Sequence, residues 1–119
     1  MDRSILIVDD DPAFRELAGR ILVDLGLRVT AQADTAAAAI AMAIDTRPDA
    51  ALVDIDLPDG DGIELAGRLA ALPWGPRVLL TSVDPDAAAP DEVRRSGAAA
   101  FISKDKLANG ALLALLVSD

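Results

Sequence analysis

Two adjacent acids at Asp9 and Asp10, a lone acid at Asp54, a hydroxyl at Thr81 and an amine at Lys104 each stand where an apolar run of the chain ends. A carboxylate can attack phosphorus and become an acyl phosphate. Further acids beside it suit a hard cation such as Mg²⁺, which takes a few carboxylate oxygens and keeps several waters. A hydroxyl and a compact ammonium can meet phosphoryl oxygens. Together these groups are equipment for phosphoryl transfer, where positioning and charge neutralisation supply most of the catalysis. The residues the chain lacks narrow the chemistry further. Its 119 residues hold no His and no Cys. That excludes a Ser-His-Asp triad, His or thiolate metal ligands, disulfides and redox chemistry within this chain.

These groups meet only if the apolar runs before them are neighbouring strands. Residues 4–8 form a continuous, β-branched run that reads as a strand buried on both faces. Asp11 and Pro12 supply an N-cap and a first helical residue. Phe14, Leu17, Ala18, Ile21, Leu22 and Leu25 then recur at helical spacing until Gly26. Residues 27–33 read as a second strand, with Arg28 and Gln32 placing it near an edge. Thr35 caps an Ala-rich helix to about Ile44, which Arg47-Pro48 breaks. Residues 50–53 give a third strand, 57–62 a loop, and 62–71 a helix. Residues 77–80 make the fourth strand. Trp74, in the turn before it, reads as a lid on that strand at the sheet end opposite the acids.

The weakest helix is 84–96, because Pro85 and Pro90 can each break an internal turn. Residues 99–103 form the fifth strand and 107–117 the last helix. Leu112, Leu115 and Leu116 make that helix's buried stripe. Leu113 and Val117 lie off it, free to join an exposed patch with residues 84–101. The alternation implies an α/β fold: one domain over 1–119, a doubly wound five-stranded parallel sheet, and right-handed crossovers. In strand order 2-1-3-4-5, strands one and three flank the switch point where ligands bind. Asp9, Asp10 and Asp54 would crowd together there. Each carboxylate raises the pKa of the others, and a hard cation removes the conflict.

Composition sets limits. At 52% hydrophobic but 3% aromatic, the chain builds an aliphatic core. A net charge of −9 argues against direct nucleic-acid binding, which needs a basic face. The short apolar start followed by acids is no signal peptide, and no run reaches the roughly 20 apolar residues of a membrane span. A cytoplasmic location without membrane contact is the expectation.

The segments ILIVDDDP at 5–12, LVDIDLPDGDG at 52–62, VLLTS at 78–82 and GAAAFISK at 97–104 resemble, in order and spacing, the CheY-like receiver domain of bacterial two-component response regulators. The resemblance covers the whole length and implies a flavodoxin-like (β/α)5 fold. It implies that Asp54 is the phosphoacceptor. Asp9, Asp10 and Asp54, with the backbone carbonyl of Asp56, would hold Mg²⁺, or Mn²⁺ in its place. Thr81 and Lys104 would bind the phosphoryl group, and Thr81 and Phe101 would form the switch. The donor would be a sensor histidine kinase or a histidine phosphotransfer protein. A downstream effector would read the face made by the fourth helix, fifth strand and fifth helix, and a phosphorylation-dependent homodimer fits the same picture. Such a chain is not an enzyme beyond catalysing its own phosphorylation and dephosphorylation.

Three positions depart from the pattern. Asp105 stands where Pro is frequent, Ser82 where a small Ala is common, and Asp56 is acidic at a variable site. None is a core residue of the pattern, so Asp56 and Ser82 are expected to tune rates. A competing reading comes from Asp54-Ile55-Asp56, which resembles the nucleophile motif of haloacid-dehalogenase-type phosphohydrolases. That motif ends a first strand, whereas this one ends the third, and no length is left for a cap domain. A receiver-shaped scaffold locked in one state is a third reading, against which the full residue set argues. The chain is expected to be a stand-alone receiver or the N-terminal piece of a longer DNA-binding transcription regulator.

Overall fold

Ser4 to Val8 are all buried, as a strand covered on both faces must be, and they form most of β1 (Arg3–Val8) at the heart of the sheet. In the computed structural model residues 3–108 and 111–117 are described, the last stretch with side chains at 112 and 114–116. The elements that follow are α1 (Pro12–Asp24), β2 (Leu27–Ala33), α2 (Ala36–Thr46) and β3 (Ala50–Asp54). Then come α3 (Gly62–Ala70), β4 (Arg77–Ser82), α4 (Pro90–Ser96), β5 (Ala100–Ser103) and α5 (Ala111–Val117). The five strands are parallel in the order β2-β1-β3-β4-β5. This is the expected flavodoxin-like order, with β1 and β3 at the switch point.

Alternation along each strand splits the core into two layers. Leu6 and Val8 of β1, Val53 of β3 and Leu80 of β4 face one layer, with Ala39 and Ala43 of α2 and Leu65 and Leu69 of α3. Ile5, Ile7, Leu52 and Leu79 face the other, with Phe14, Ala18 and Leu22 of α1 and Leu112 and Leu116 of α5. The stripe expected of the last helix is therefore buried at Leu112 and Leu116, with Leu115 partly so. Register then places the chemistry. Val8 pairs with Val53, Asp54 with Thr81, and Ser82 with Ser103. Asp9 and Lys104 each follow directly after their strands.

Several boundaries differ from expectation. β3 and β4 continue through Asp54 and through Thr81-Ser82, because the ladder extends as far as its partners do. The 84–96 segment is helical only over Pro90–Ser96. Pro90 is the first helical residue, where its missing N–H costs nothing. Residues 57–62 are not a plain loop: Asp56-Leu57 and Gly60-Asp61 pair as a short antiparallel hairpin. The last helix does not begin at 107: a 3₁₀ turn at Lys104–Lys106 comes first, Leu107 is buried beyond it, and the described helix is Ala111–Val117. Trp74 is tied to the connection between α2 and β3. Its Nε1 donates to Pro48 O at 2.8 Å, and the Arg47 guanidinium lies 4.6 Å over its ring. A half-buried indole needs an acceptor, and the nearest is the connection leading into β3. The patch expected to include Leu113 and Val117 lies outside the described side chains.

Candidate functional site

Asp9 is fully buried just past β1. Its Oδ1 accepts from the Asp11 N–H at 2.9 Å, which closes the turn into α1 and leaves Oδ2 aimed at Lys104 Nζ, 2.6 Å away. Arg15 Nη1 donates to the Asp9 carbonyl at 2.6 Å and fixes the same turn from the first coil of the helix. Asp54, 5% exposed at the end of β3, accepts from the Asp56 N–H at 3.1 Å through Oδ1. Its Oδ2 lies 3.3 Å from Lys104 Nζ. Asp10 is exposed, yet one carboxylate oxygen from each of Asp9, Asp10 and Asp54 lies within 4.8 Å of the others. Two of these acids, Asp9 and Asp54, meet the Lys104 ammonium, and Asp10 stands beside them.

The electrostatics follow from that arrangement. Burial pushes the Asp54 carboxyl above its ordinary range; the Asp56 N–H pulls it down, Asp9 pushes it further up, and Lys104 offsets part of the rise. Burial alone would lower Lys104, but the hydrogen bond and charge of Asp9, with Asp54, outweigh it and hold the ammonium above its ordinary range. Lys104 stays charged, and its ammonium also sits 4.2 Å above the centroid of the Phe14 ring. A cation–π contact of this kind is worth about 0.5–2 kcal/mol and restrains the side chain's direction. Phe14 reads in the sequence only as part of an apolar stripe. An aromatic one turn into the helix behind an acid pair is the one signal that could have marked it.

Thr81 lies across the β3–β4 ladder from Asp54, 1% exposed, and its Oγ1 has no hydrogen-bond partner among the described residues. A buried hydroxyl left unsatisfied has a cost, and this one lies beside the acids. Ser82, also buried, is not free: its Oγ accepts from Asp84 N at 3.2 Å and shapes the turn out of β4. Ser103 Oγ donates to Asp105 Oδ1 at 2.6 Å, which gives Asp105 a structural part in the turn carrying Lys104.

The structure brings together Asp9, Asp10, Asp54 and Lys104, with Thr81 alongside. Phe101 is elsewhere. It is half-buried on the α4 side of β5, and with Pro85, Pro90 and Val93 it lines a cavity of about 490 Å³. The Asp56 side chain is exposed at the rim, in a shallow depression it shares with Asp61 and Glu92. Gly62 is a residue whose part the sequence did not disclose. Its N–H donates to Ile55 O at 2.8 Å, and a Cβ there would stand 2.0 Å from the Asp54 carbonyl oxygen.

Together these features define a doubly wound parallel α/β fold with an acidic crevice at its switch point, an opposed lysine and a strand-end hydroxyl. The profile of the response regulator receiver domain matches residues 5–116, and the chain belongs to that family. It is 40% identical over 112 residues to a Pseudomonas aeruginosa protein named as a transcriptional regulator, covering 92% of this chain and 53% of that one. It is 32% identical over 105 residues to the transcription regulator BvgA of Bordetella pertussis, covering 87% and 50%. The chain therefore spans about half the length of the curated relatives it matches. Among solved structures, the signal receiver domain of the response regulator NarL from Mycobacterium tuberculosis superposes with a TM-score of 0.82 at 30% identity, covering 96% of each chain. A response regulator from Burkholderia pseudomallei, solved with a phosphorylated aspartic acid, a calcium ion and citrate, superposes with a TM-score of 0.85 at 25% identity, covering 98% of this chain and 68% of that one. Among the described residues no helix is long and apolar enough to cross a membrane.

Proposed function

We propose that residues 1–119 act as one receiver domain in the cytoplasm, with Asp54 as the phosphoacceptor. The observation that carries this is the gathering of three carboxylates within 4.8 Å of one another at the end of the middle strand, two of them against the Lys104 ammonium. An Asp54 oxygen attacks the donor's phosphorus, the bond from phosphorus to the donor's nitrogen or oxygen breaks, and the electron pair leaves with the donor. The product is an aspartyl phosphate. A histidine kinase or a phosphotransfer protein is the donor, and the chain catalyses only its own phosphorylation and dephosphorylation. The solved relative bearing a phosphorylated aspartic acid supports this reading.

The acids fit a hard divalent cation, since Asp54, raised by burial and further by Asp9, is relieved by one. Asp9, Asp10, Asp54 and the Asp56 carbonyl would hold Mg²⁺, with Mn²⁺ as a substitute. When bound, the cation supplies neutralisation of charge on the phosphoryl oxygens. Lys104, now shared between Asp9 and Asp54, takes a phosphoryl oxygen as the carboxylate is consumed. The unsatisfied Thr81 hydroxyl donates to another. That movement is the switch: it gives a buried donor the partner it lacks, so the phosphorylated protein favours a different arrangement of β4, Phe101 and α4. The face of α4, β5 and α5 then changes its affinity for a downstream effector or for a second copy of the chain. Relatives named as transcription regulators support a DNA-reading output carried by another segment.

Beryllofluoride with Mg²⁺ tests the switch. Amide resonances near Thr81 and Phe101 are expected to shift together in the wild type. In Thr81→Ala the shifts near Asp54 remain and those near Phe101 are lost. A wild-type spectrum unchanged beyond Asp54 would favour a locked scaffold. Asp56 and Ser82 are proposed to set how long the phosphoryl group lasts, Asp56 from the rim and Ser82 through the turn it holds. Asp56→Asn is expected to change the dephosphorylation half-life, and equal half-lives would retire its role.

A further inference from the structure

The hairpin after β3 is too small to hold its own shape. Only Asp56 and Leu57 pair with Asp61 and Gly60, and an isolated two-stranded hairpin is marginal at best in water. Its base is fastened three times: Asp56 N–H to Asp54 Oδ1 at 3.1 Å, Gly62 N–H to Ile55 O at 2.8 Å, and Ile63 N–H to Asp61 Oδ1 at 2.8 Å. Leu57 packs into the core beside Asp56, and the tip beyond it is held by one residue, to a different element. The exposed Asp59 accepts from Ala36 N at 2.7 Å through Oδ1 and from Ala37 N at 3.1 Å through Oδ2.

Those two N–H groups are among the orphan donors at the start of α2. A third, Ala38 N–H, is taken by Thr35 Oγ1 at 3.1 Å. The cap of α2 is thus shared between its own N-cap residue and a carboxylate more than twenty residues downstream. α2 is a fixed anchor, because Ala39 and Ala43 are fully buried against the sheet. The two N–H groups also hold the Asp59 carboxyl below its ordinary pKa, so the contact is made by the charged form.

We propose that Asp59 is a positioning residue: by tying the hairpin tip to the N-terminus of α2 it holds the Asp56 carbonyl in place, and so sets the affinity of the acidic cluster for a divalent cation. This rests on the reading in which that carbonyl joins Asp9, Asp10 and Asp54 as a ligand. Asp59 touches neither the acids nor the phosphoryl site. Its effect passes through the hairpin alone.

The test titrates Mg²⁺ alone into the wild type, Asp59→Ala, Asp59→Asn, Thr35→Ala and Asp10→Asn, and follows the amide resonances of Asp56 and Thr81 beside the thermal midpoint. Asp59→Ala is expected to bind Mg²⁺ about tenfold more weakly, in line with loss of a residue that orients a metal ligand. Asp59→Asn keeps one accepting oxygen and is expected to fall between Asp59→Ala and wild type. Thr35→Ala removes the other half of the cap, lowers the midpoint by several degrees, and keeps wild-type Mg²⁺ affinity. Wild-type affinity in Asp59→Ala would overturn the proposal. So would an equal loss in Thr35→Ala, which would make the effect one of helix capping. An equal loss in Asn and Ala that disappears at high salt would reduce it to a charge effect and overturn it too. If Asp10→Asn binds Mg²⁺ as the wild type does, the cation reading itself fails, and that result is separate from all of these.

Discussion

Asp54→Asn is expected to abolish phosphoryl incorporation and, with divalent cations removed, to make the fold more stable than the wild type at neutral pH. The first half follows from chemistry, because an amide is no nucleophile toward phosphorus at this site. The second follows from the direction of the Asp54 pKa. Burial leads a set of influences that raise it above 3.8, with Asp9 adding to the rise. A carboxyl whose folded pKa exceeds its unfolded one opposes folding when ionised. The penalty is absent below pH 3.8, grows as pH rises from there through the raised folded value, and is complete above it. Asn carries no charge and escapes it while keeping an oxygen for the Asp56 N–H. The gain in thermal midpoint should therefore be seen at pH 7 in chelator and should fade as pH falls toward 3.8. Added Mg²⁺ should raise the midpoint of the wild type more than that of the variant. A variant less stable than wild type in chelator would mean that the pairing with Lys104 outweighs burial.

Gly62→Ala carries the second large effect, and it acts through space rather than through conformation. The missing Cβ would lie 2.0 Å from the Asp54 carbonyl oxygen and 2.7 Å from Ile55 Cα. Both are backbone atoms at the end of β3, so no side chain can swing aside. Either α3 moves off the strand end or the strand end moves, and with it the carboxylate of Asp54. Overpacking of this kind costs about 3 kcal/mol, a fall on the order of 10 °C in thermal midpoint. Phosphorylation of whatever remains folded should slow as well, since a small displacement at a reacting group is costly. Gly60→Ala is the control, because a Cβ there meets nothing within 4 Å. It is expected to stay within about 1 kcal/mol of wild type. A Gly62→Ala protein with wild-type midpoint and labelling would contradict the packing described.

How much of this was legible in the sequence depended on the range over which each feature acts. The strands were legible because burial on both faces demands unbroken aliphatic runs, as in Ile5-Leu6-Ile7-Val8. The site was legible because a parallel sheet puts strand ends together, so Asp9, Asp54, Thr81 and Lys104 needed only the order of their strands to converge. Pro90 was ambiguous by nature: the ring that breaks a helix interior is the same ring that begins a helix. Contacts between segments far apart left no local trace. Asp59 on α2, Trp74 on Pro48 and Phe14 beneath Lys104 are each satisfied by a partner that no periodicity announces. Gly62 looked like a turn residue and proved to be a point of close approach.

The central claim is that one carboxylate, Asp54, takes the phosphoryl group and holds it. Incubating the protein with Mg²⁺ and a small acyl-phosphate donor, then reading intact mass and mapping the modified peptide, tests it most directly. The expected result is a single added phosphoryl group per chain, on Asp54, absent in chelator and absent in Asp54→Asn. A label on another residue, or many turnovers of phosphomonoester hydrolysis with no label retained, would contradict it.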